Sequence, residues 1–197
     1  MSRPGPGAAP APRVRAEPVV PFSVAIFAAA ASGFVTAPAF PDVGIWALVF
    51  PGIAPMLLAL IGRGVWGSLA LGLVGGLSFF LIHLAFVARY LGPVPWIALA
   101  VLEALIFALG AVGIALVYRW MPRPRPASRL ILLPALVAAI WVTRESIAGM
   151  LPYGGFPWGR AGLSQSASPL ADLPSWLGIS GLSFVIVAIA PSAIEGV

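Results

Sequence analysis

Val65–Ala88 runs without an aspartate, glutamate, lysine or arginine. As an α-helix rising ~1.5 Å per residue, it outreaches the ~30 Å hydrocarbon core of a bilayer. Other apolar runs accompany it, from Phe22 to about Ala37, then Ile45–Ile61, Val94–Trp120, Leu130–Ala148 and Ile179–Ala190. The pattern specifies an all-α, polytopic transmembrane bundle of about six helices, the first and last of them short. Composition agrees, because only 9% of residues are charged, against ~25% in soluble domains. With 22 glycines and 21 prolines, the helices are expected to be kinked and closely packed, which a bundle tolerates because neighbouring helices re-satisfy freed backbone groups.

The net charge of +5 does not indicate a nucleic-acid partner, since the arginines cluster beside apolar spans and build no polar face. Every basic residue is arginine. With no cysteine there is no thiolate nucleophile or thiolate metal site. A single histidine, His83, makes an imidazole metal site improbable, and no cofactor is expected.

Residues 1–21 form a Pro/Ala/Gly-rich tail, expected to be disordered, with the bundle occupying 22–197. Arginines ahead of an apolar stretch also fit a secretory signal peptide, but further apolar segments follow directly, so a retained first span is expected. Placing the N-terminus in the cytoplasm puts Arg3, Arg13, Arg15, Arg63, Arg119, Arg123, Arg125 and Arg129 on that side. Arg89, Arg144 and Arg160 are left at or beyond the other face, together with a loop at about 149–178.

Within the spans, Ser68, Gly72 and Gly76 recur every four residues and make a small-residue face, fit for internal packing or for a dimer. His83 and Glu103 lie at comparable depth on either side of the turn at Gly92-Pro93, as a register-fixing hydrogen-bonded pair, as a neutral glutamate bonded to backbone, or as a proton relay or polar site under the outer leaflet. A small transporter would need a longer ionisable pathway than this pair offers. Arg144 and Glu145 close the fifth span. Adjacent helical residues point about 100° apart, so the two are not expected to pair. Arg144 is expected either to meet a lipid phosphate or to snorkel to water. Gly162-Leu163-Ser164-Gln165-Ser166 lacks the last glycine of a G-x-S-x-G elbow, and the only histidine lies in a helix, so a Ser–His triad is not expected.

The run Trp141-Val-Thr-Arg-Glu145, then Gly155-Phe156-Pro157-Trp158, Gly162-Leu163-Ser164-Gln165, Pro169-Leu170 and Gly181-Leu182-Ser183-Phe184, resembles the apolipoprotein N-acyltransferase family. Pro41-Asp42, Trp46 and Gly52-x-x-Pro55 are similar to its first hairpin, so the likeness runs from about Ala31 onward. A member of the family carries an arginine three residues after the glutamate, where this chain has Ala148.

The resemblance implies a multi-pass protein of the bacterial plasma membrane, and partners that are a phospholipid acyl donor and an apolipoprotein acceptor. The family's acyl chain passes through a cysteine thioester to the α-amine of the lipoprotein's N-terminal cysteine, with the catalytic groups in a nitrilase-like domain outside the membrane. None of those groups can be carried over to this chain, which has neither cysteine nor lysine, so it is expected to be a fragment. A different class implied by relatives is a non-catalytic scaffold anchoring a polyprenol-phosphate mannose synthase.

Phe156-Pro157-Trp158 combines a fixed proline torsion with two rings suited to headgroup depth, as a gate for acyl chains or as an aromatic anchor. Phe156, Trp158, Ser164 and Gln165 are the expected lipid or lipoprotein contacts, with Arg144 and Glu145 beside them. Ser164 and Gln165 also suit internal capping of the loop.

Overall fold

The computed structural model describes residues 17–121 and 128–195. The part of the expected tail that covers 1–16 lies outside these residues, as do Arg123 and Arg125. Among these described residues seven α-helices follow in order: α1 (Phe22–Thr36), α2 (Val49–Leu60), α3 (Val65–His83), α4 (Ala85–Leu91), α5 (Pro93–Trp120), α6 (Leu133–Ala148) and α7 (Pro174–Glu195). Five helical segments are long and apolar enough to cross a membrane, and the described residues include no strand.

Going round the bundle, α1 packs on α2 and α3, α3 on α5, α5 on α6, α6 on α7, and α7 on α2. The six longer helices thus close a ring, and α2 touches α3 and α5 as well. The expected second span is the one that departs from membrane length. Trp46–Leu48 form only a 3₁₀ turn ahead of α2, so Trp46–Leu60 covers about 22 Å at 1.5 Å per residue. Its neighbours enclose it: Val49, Ile53, Met56, Leu57 and Leu60 are essentially inaccessible.

The small-residue face of α3 packs inside the bundle. A Cβ on Gly72 would lie 2.6 Å from Ala108 Cα, and one on Gly76 would lie 2.9 Å from Ala104 Cα. Only glycine lets the α3 and α5 backbones approach this closely, and in lipid such close packing is what drives helices together.

Two spans are broken where the sequence reads differently. The expected helix Val65–Ala88 stops at His83, and α4 restarts after Leu84, whose φ of −97° and ψ of 11° leave the helical region. Trp96 Nε1 from α5 donates to the Leu81 carbonyl at this break, 3.1 Å away. The last span, read as beginning at Ile179, is preceded by Pro174–Leu177 and a kink at Gly178, whose φ of 67° is open to glycine.

The two ends of the bundle differ. At one end Glu17 lies against Gly62 and Arg119 reaches toward Gly64. There Arg63 donates to the Ala59 carbonyl at 3.1 Å and to the Val20 carbonyl, fastening the start of α1 to the α2–α3 turn. At the opposite end the α1–α2 linker, the α3–α4 break and the long α6–α7 connection come together.

Candidate functional site

The α6–α7 connection is built from the end of α6 upward. Glu145, in the last turn, is 3% exposed, and its Oε1 accepts from Trp141 Nε1 at 2.8 Å and from the Ala161 backbone N–H at 2.8 Å. The Phe156 N–H donates to the Ala148 carbonyl at 2.7 Å, which turns the chain back over the helix end. Two 3₁₀ turns follow, Pro157–Gly159 and Ala161–Gln165.

Further bonds stitch these turns to the rest of the bundle. Gly162 N–H donates to Ser183 Oγ on α7 at 2.9 Å. Ser164 Oγ donates to the Ala161 carbonyl at 2.7 Å. Gln165 Nε2 donates to Ser164 Oγ at 2.8 Å and to the Trp46 carbonyl ahead of α2 at 3.3 Å. His83 Nε2 lies 3.2 Å from the Trp158 carbonyl. The loop is therefore held by α3, α6, α7 and the turn before α2. A connection with its polar backbone satisfied in this way can sit at the bundle end as a fixed shelf.

Above the shelf lies a cleft of ≈ 730 Å³, bounded by Phe40–Asp42, the α3–α4 break, the loop and Ile179. That is within the about 300–1,000 Å³ typical of small-molecule sites. Its walls are mostly aromatic and aliphatic. Trp158 stacks on Phe86 with centroids 5.6 Å apart and on Phe156 at 5.7 Å. Phe40 and Leu163 add apolar surface, and the polar groups are Asp42, His83, Tyr90, Arg160 and Ser166.

Of the residues singled out from sequence, Pro157, Trp158 and His83 line this cleft, and Phe156 backs Trp158. Ser164, Gln165, Arg144 and Glu145 do not reach it. Ser164 and Gln165 are 2% and 0% exposed, and their hydrogen bonds run inward. Asp42, Phe86, Tyr90 and Arg160 were not picked out as site residues from the sequence. Arg160 stands two positions after the Gly-Phe-Pro-Trp run, but nothing in the sequence marks which of the loop's side chains face outward.

Two expectations need correction. Arg144 and Glu145 do meet, with Nη2 3.7 Å from Oε1. The angle between adjacent positions fixes only where the side chains start, and a flexible arginine can curl back to its neighbour. The distance makes it an ion pair without a hydrogen bond. Arg144 is 6% exposed, with its guanidinium 4.7 Å from the Phe107 ring and 4.8 Å from the Trp141 ring. Gly110 on α5 leaves room for its stem, since a Cβ there would stand 2.8 Å from Arg144 Cγ. Arg144 therefore neither snorkels nor faces lipid.

The second correction concerns His83 and Glu103. Among the described residues, no hydrogen bond or ion pair joins them. His83 packs on Phe40 at 4.4 Å and on Phe79 at 5.0 Å. Glu103 is buried in a small cavity shared with Arg144, Glu145 and Phe80. Their surroundings differ, since His83 meets the Phe40 and Phe79 rings and the Trp158 carbonyl while Glu103 shares its cavity with Arg144 and Glu145, so comparable depth alone does not join them. No cluster of three metal-binding side chains occurs among the described residues.

Residues 32–191 match the family described as the apolipoprotein N-acyltransferase N-terminal domain. The apolipoprotein N-acyltransferase of Geobacter metallireducens is 35% identical over 163 residues, which is 79% of this chain and 30% of that protein. That of Pseudomonas putida is 32% identical over 174 residues, 82% of this chain and 33% of that protein. That of Shewanella oneidensis is 40% identical over 97 residues, 48% of this chain and 18% of that protein. The chain spans no more than about a third of these relatives' lengths.

Proposed function

Because the chain belongs to the apolipoprotein N-acyltransferase family, matching its N-terminal domain, we propose that its loop-end cleft receives the acyl chains of a phospholipid donor. The observation that carries this reading is the pairing of an apolar cleft of ≈ 730 Å³ with a loop hydrogen-bonded to four parts of the bundle. A membrane protein with no need of a substrate has little reason to brace Trp158 at the edge of an open cleft. The loop end faces the extracytoplasmic side, in keeping with the arginines at the opposite end.

In the proposed reaction the donor's ester bond breaks, its acyl group forms a thioester with a cysteine, and the lysophospholipid leaves. The thioester then yields an amide on the amine of a lipoprotein's N-terminal cysteine. No cysteine occurs among these 197 residues, so the contribution of this chain is to hold and orient the donor. Phe86 and Trp158 contact the hydrocarbon, and the cleft shields it from water.

Reconstituting the protein with a phospholipid bearing a diazirine on one acyl chain tests this. Photolabelling is expected to concentrate on Phe86 and Trp158, and Trp158→Ala should reduce it at both positions. If the loop is only an interfacial anchor, labels will spread evenly over the lipid-facing helices and the substitution will not change the pattern.

A further inference from the structure

Arginines are the side chains best shaped for a lipid phosphate, because the planar guanidinium presents a fork of donors to two oxygens at once. Arg144 is not available for this, enclosed by Glu145, Phe107 and Trp141. Arg89 on α4 is exposed but does not line the cleft. Arg160 does, and it is the cation among the described cleft-lining residues.

Three features set Arg160 apart from an ordinary surface arginine. It stands between two cavities, lining the cleft on one side and the small Glu103–Arg144–Glu145 cavity on the other. Its Nη2 rests over Gly149 at the end of α6, where a Cβ would come within 2.7 Å, so the absence of a side chain there makes room for it. And its Nε is buried without a hydrogen-bond partner. Glu145 Oε2 is likewise buried and unpartnered and lines the same small cavity, yet no ion pair joins the two residues among the described contacts. Among the described contacts no hydrogen bond or ion pair engages the Arg160 guanidinium, so its donors remain for a ligand, and an arginine left unpaired at this depth needs such a reason.

The geometry points to Arg160 as the residue that binds the phosphate of a phospholipid whose acyl chains occupy the aromatic part of the cleft. This rests on the acyl-donor reading above and adds the polar half of the site. The phosphate meets the cleft side of the Arg160 guanidinium, the chains lie along Phe86 and Trp158, and Arg160 fixes how deeply the ester bond is set.

The test measures binding of two short lipids to the purified protein in detergent. Dihexanoylphosphatidylcholine carries the phosphate, and dihexanoylglycerol has the same chains without it. Wild type should prefer the phospholipid by about tenfold, the size of one charge-assisted contact. Arg160→Gln should abolish that preference while leaving dihexanoylglycerol binding unchanged, and Arg160→Lys should restore part of it.

Unchanged phospholipid binding in Arg160→Gln overturns the assignment. So does equal weakening of both lipids together with a lower melting temperature in the absence of lipid, which would make Arg160 a structural partner of Glu145. Competition by millimolar inorganic phosphate as strong as by the phospholipid would assign the arginine to a free anion and also overturn it. Equal binding of both lipids by wild type removes the arginine site alone, and binding of neither removes the acyl-donor reading with it.

Discussion

The underside and the upper face of the α6–α7 loop come from the same short stretch of sequence and behave oppositely. Underneath, Ala161, Gly162, Ser164 and Gln165 are buried, and their polar groups bond to α6, α7 and the turn before α2. On top, Trp158 stacks on both Phe156 and Phe86 and stays 56% exposed. The inner face holds position and the outer face meets whatever enters the cleft. In a polar loop of a membrane protein, hydrogen-bonding capacity therefore marks attachment more than contact with substrate.

The sharpest way to break this contrast is to remove the attachment. Glu145→Ala takes away the acceptor of both Trp141 Nε1 and the Ala161 N–H, and it strands the buried Arg144 charge. Removing one partner of a buried ion pair costs about 3–5 kcal/mol, so thermal unfolding in detergent should fall well below wild type. Wild-type stability would mean that the shelf is held elsewhere. Away from the loop, Gly72→Val forces a side chain into the Ala108 backbone and should cost about 1–3 kcal/mol by overpacking. Because it leaves the loop's bonds intact, lipid photolabelling of the cleft should persist in whatever fraction remains folded.

How far the sequence announces this arrangement depends on whether a feature is local. The long spans are legible because hydropathy accumulates along one segment, and the packing face at Gly72 and Gly76 is legible from its spacing. The stop at His83 is not. No glycine or proline marks Leu84, and the Leu81 carbonyl beside it is met by Trp96 of the next helix. Trp158 could be picked out from its own ring and the proline before it. The burial of Gln165 could not, because the carbonyl that accepts its proton belongs to Trp46, 119 positions earlier. Arg144 was misread for the same kind of reason. Its surroundings, Phe107 and Gly110, lie on another helix.

A smaller effect sharpens the comparison from below. Gln165→Leu removes the donor to Ser164 Oγ and to the Trp46 carbonyl while keeping the buried volume. Losing these bonds should cost about 1–2 kcal/mol. The chain has no cysteine, so Ser166→Cys provides a single labelling site on the exposed edge of the loop. A spin label there should gain mobility in the Gln165→Leu background if the turn before α2 anchors the loop, and unchanged spectra would assign the anchoring to the bonds with α3, α6 and α7.

The smallest expected change in stability belongs to the residue with the largest expected role in binding. Trp158 contributes mainly its stacks on Phe86 and Phe156, and an aromatic pair contributes about 0.5–1.5 kcal/mol. Trp158→Ala removes both stacks but no hydrogen bond, since the His83 contact is made by the backbone carbonyl. Melting should therefore shift by little, while labelling from a diazirine lipid at Phe86 drops. Trp158→Phe should keep the labelling, since a ring is preserved and Trp158 contributes only its backbone carbonyl to the contact with His83. The two faces of the loop would then be separable by measurement, with inner substitutions lowering stability and outer ones lowering lipid occupancy. A Trp158→Ala protein that melts as early as Glu145→Ala would show instead that the outer stack holds the loop as much as the bonds beneath it.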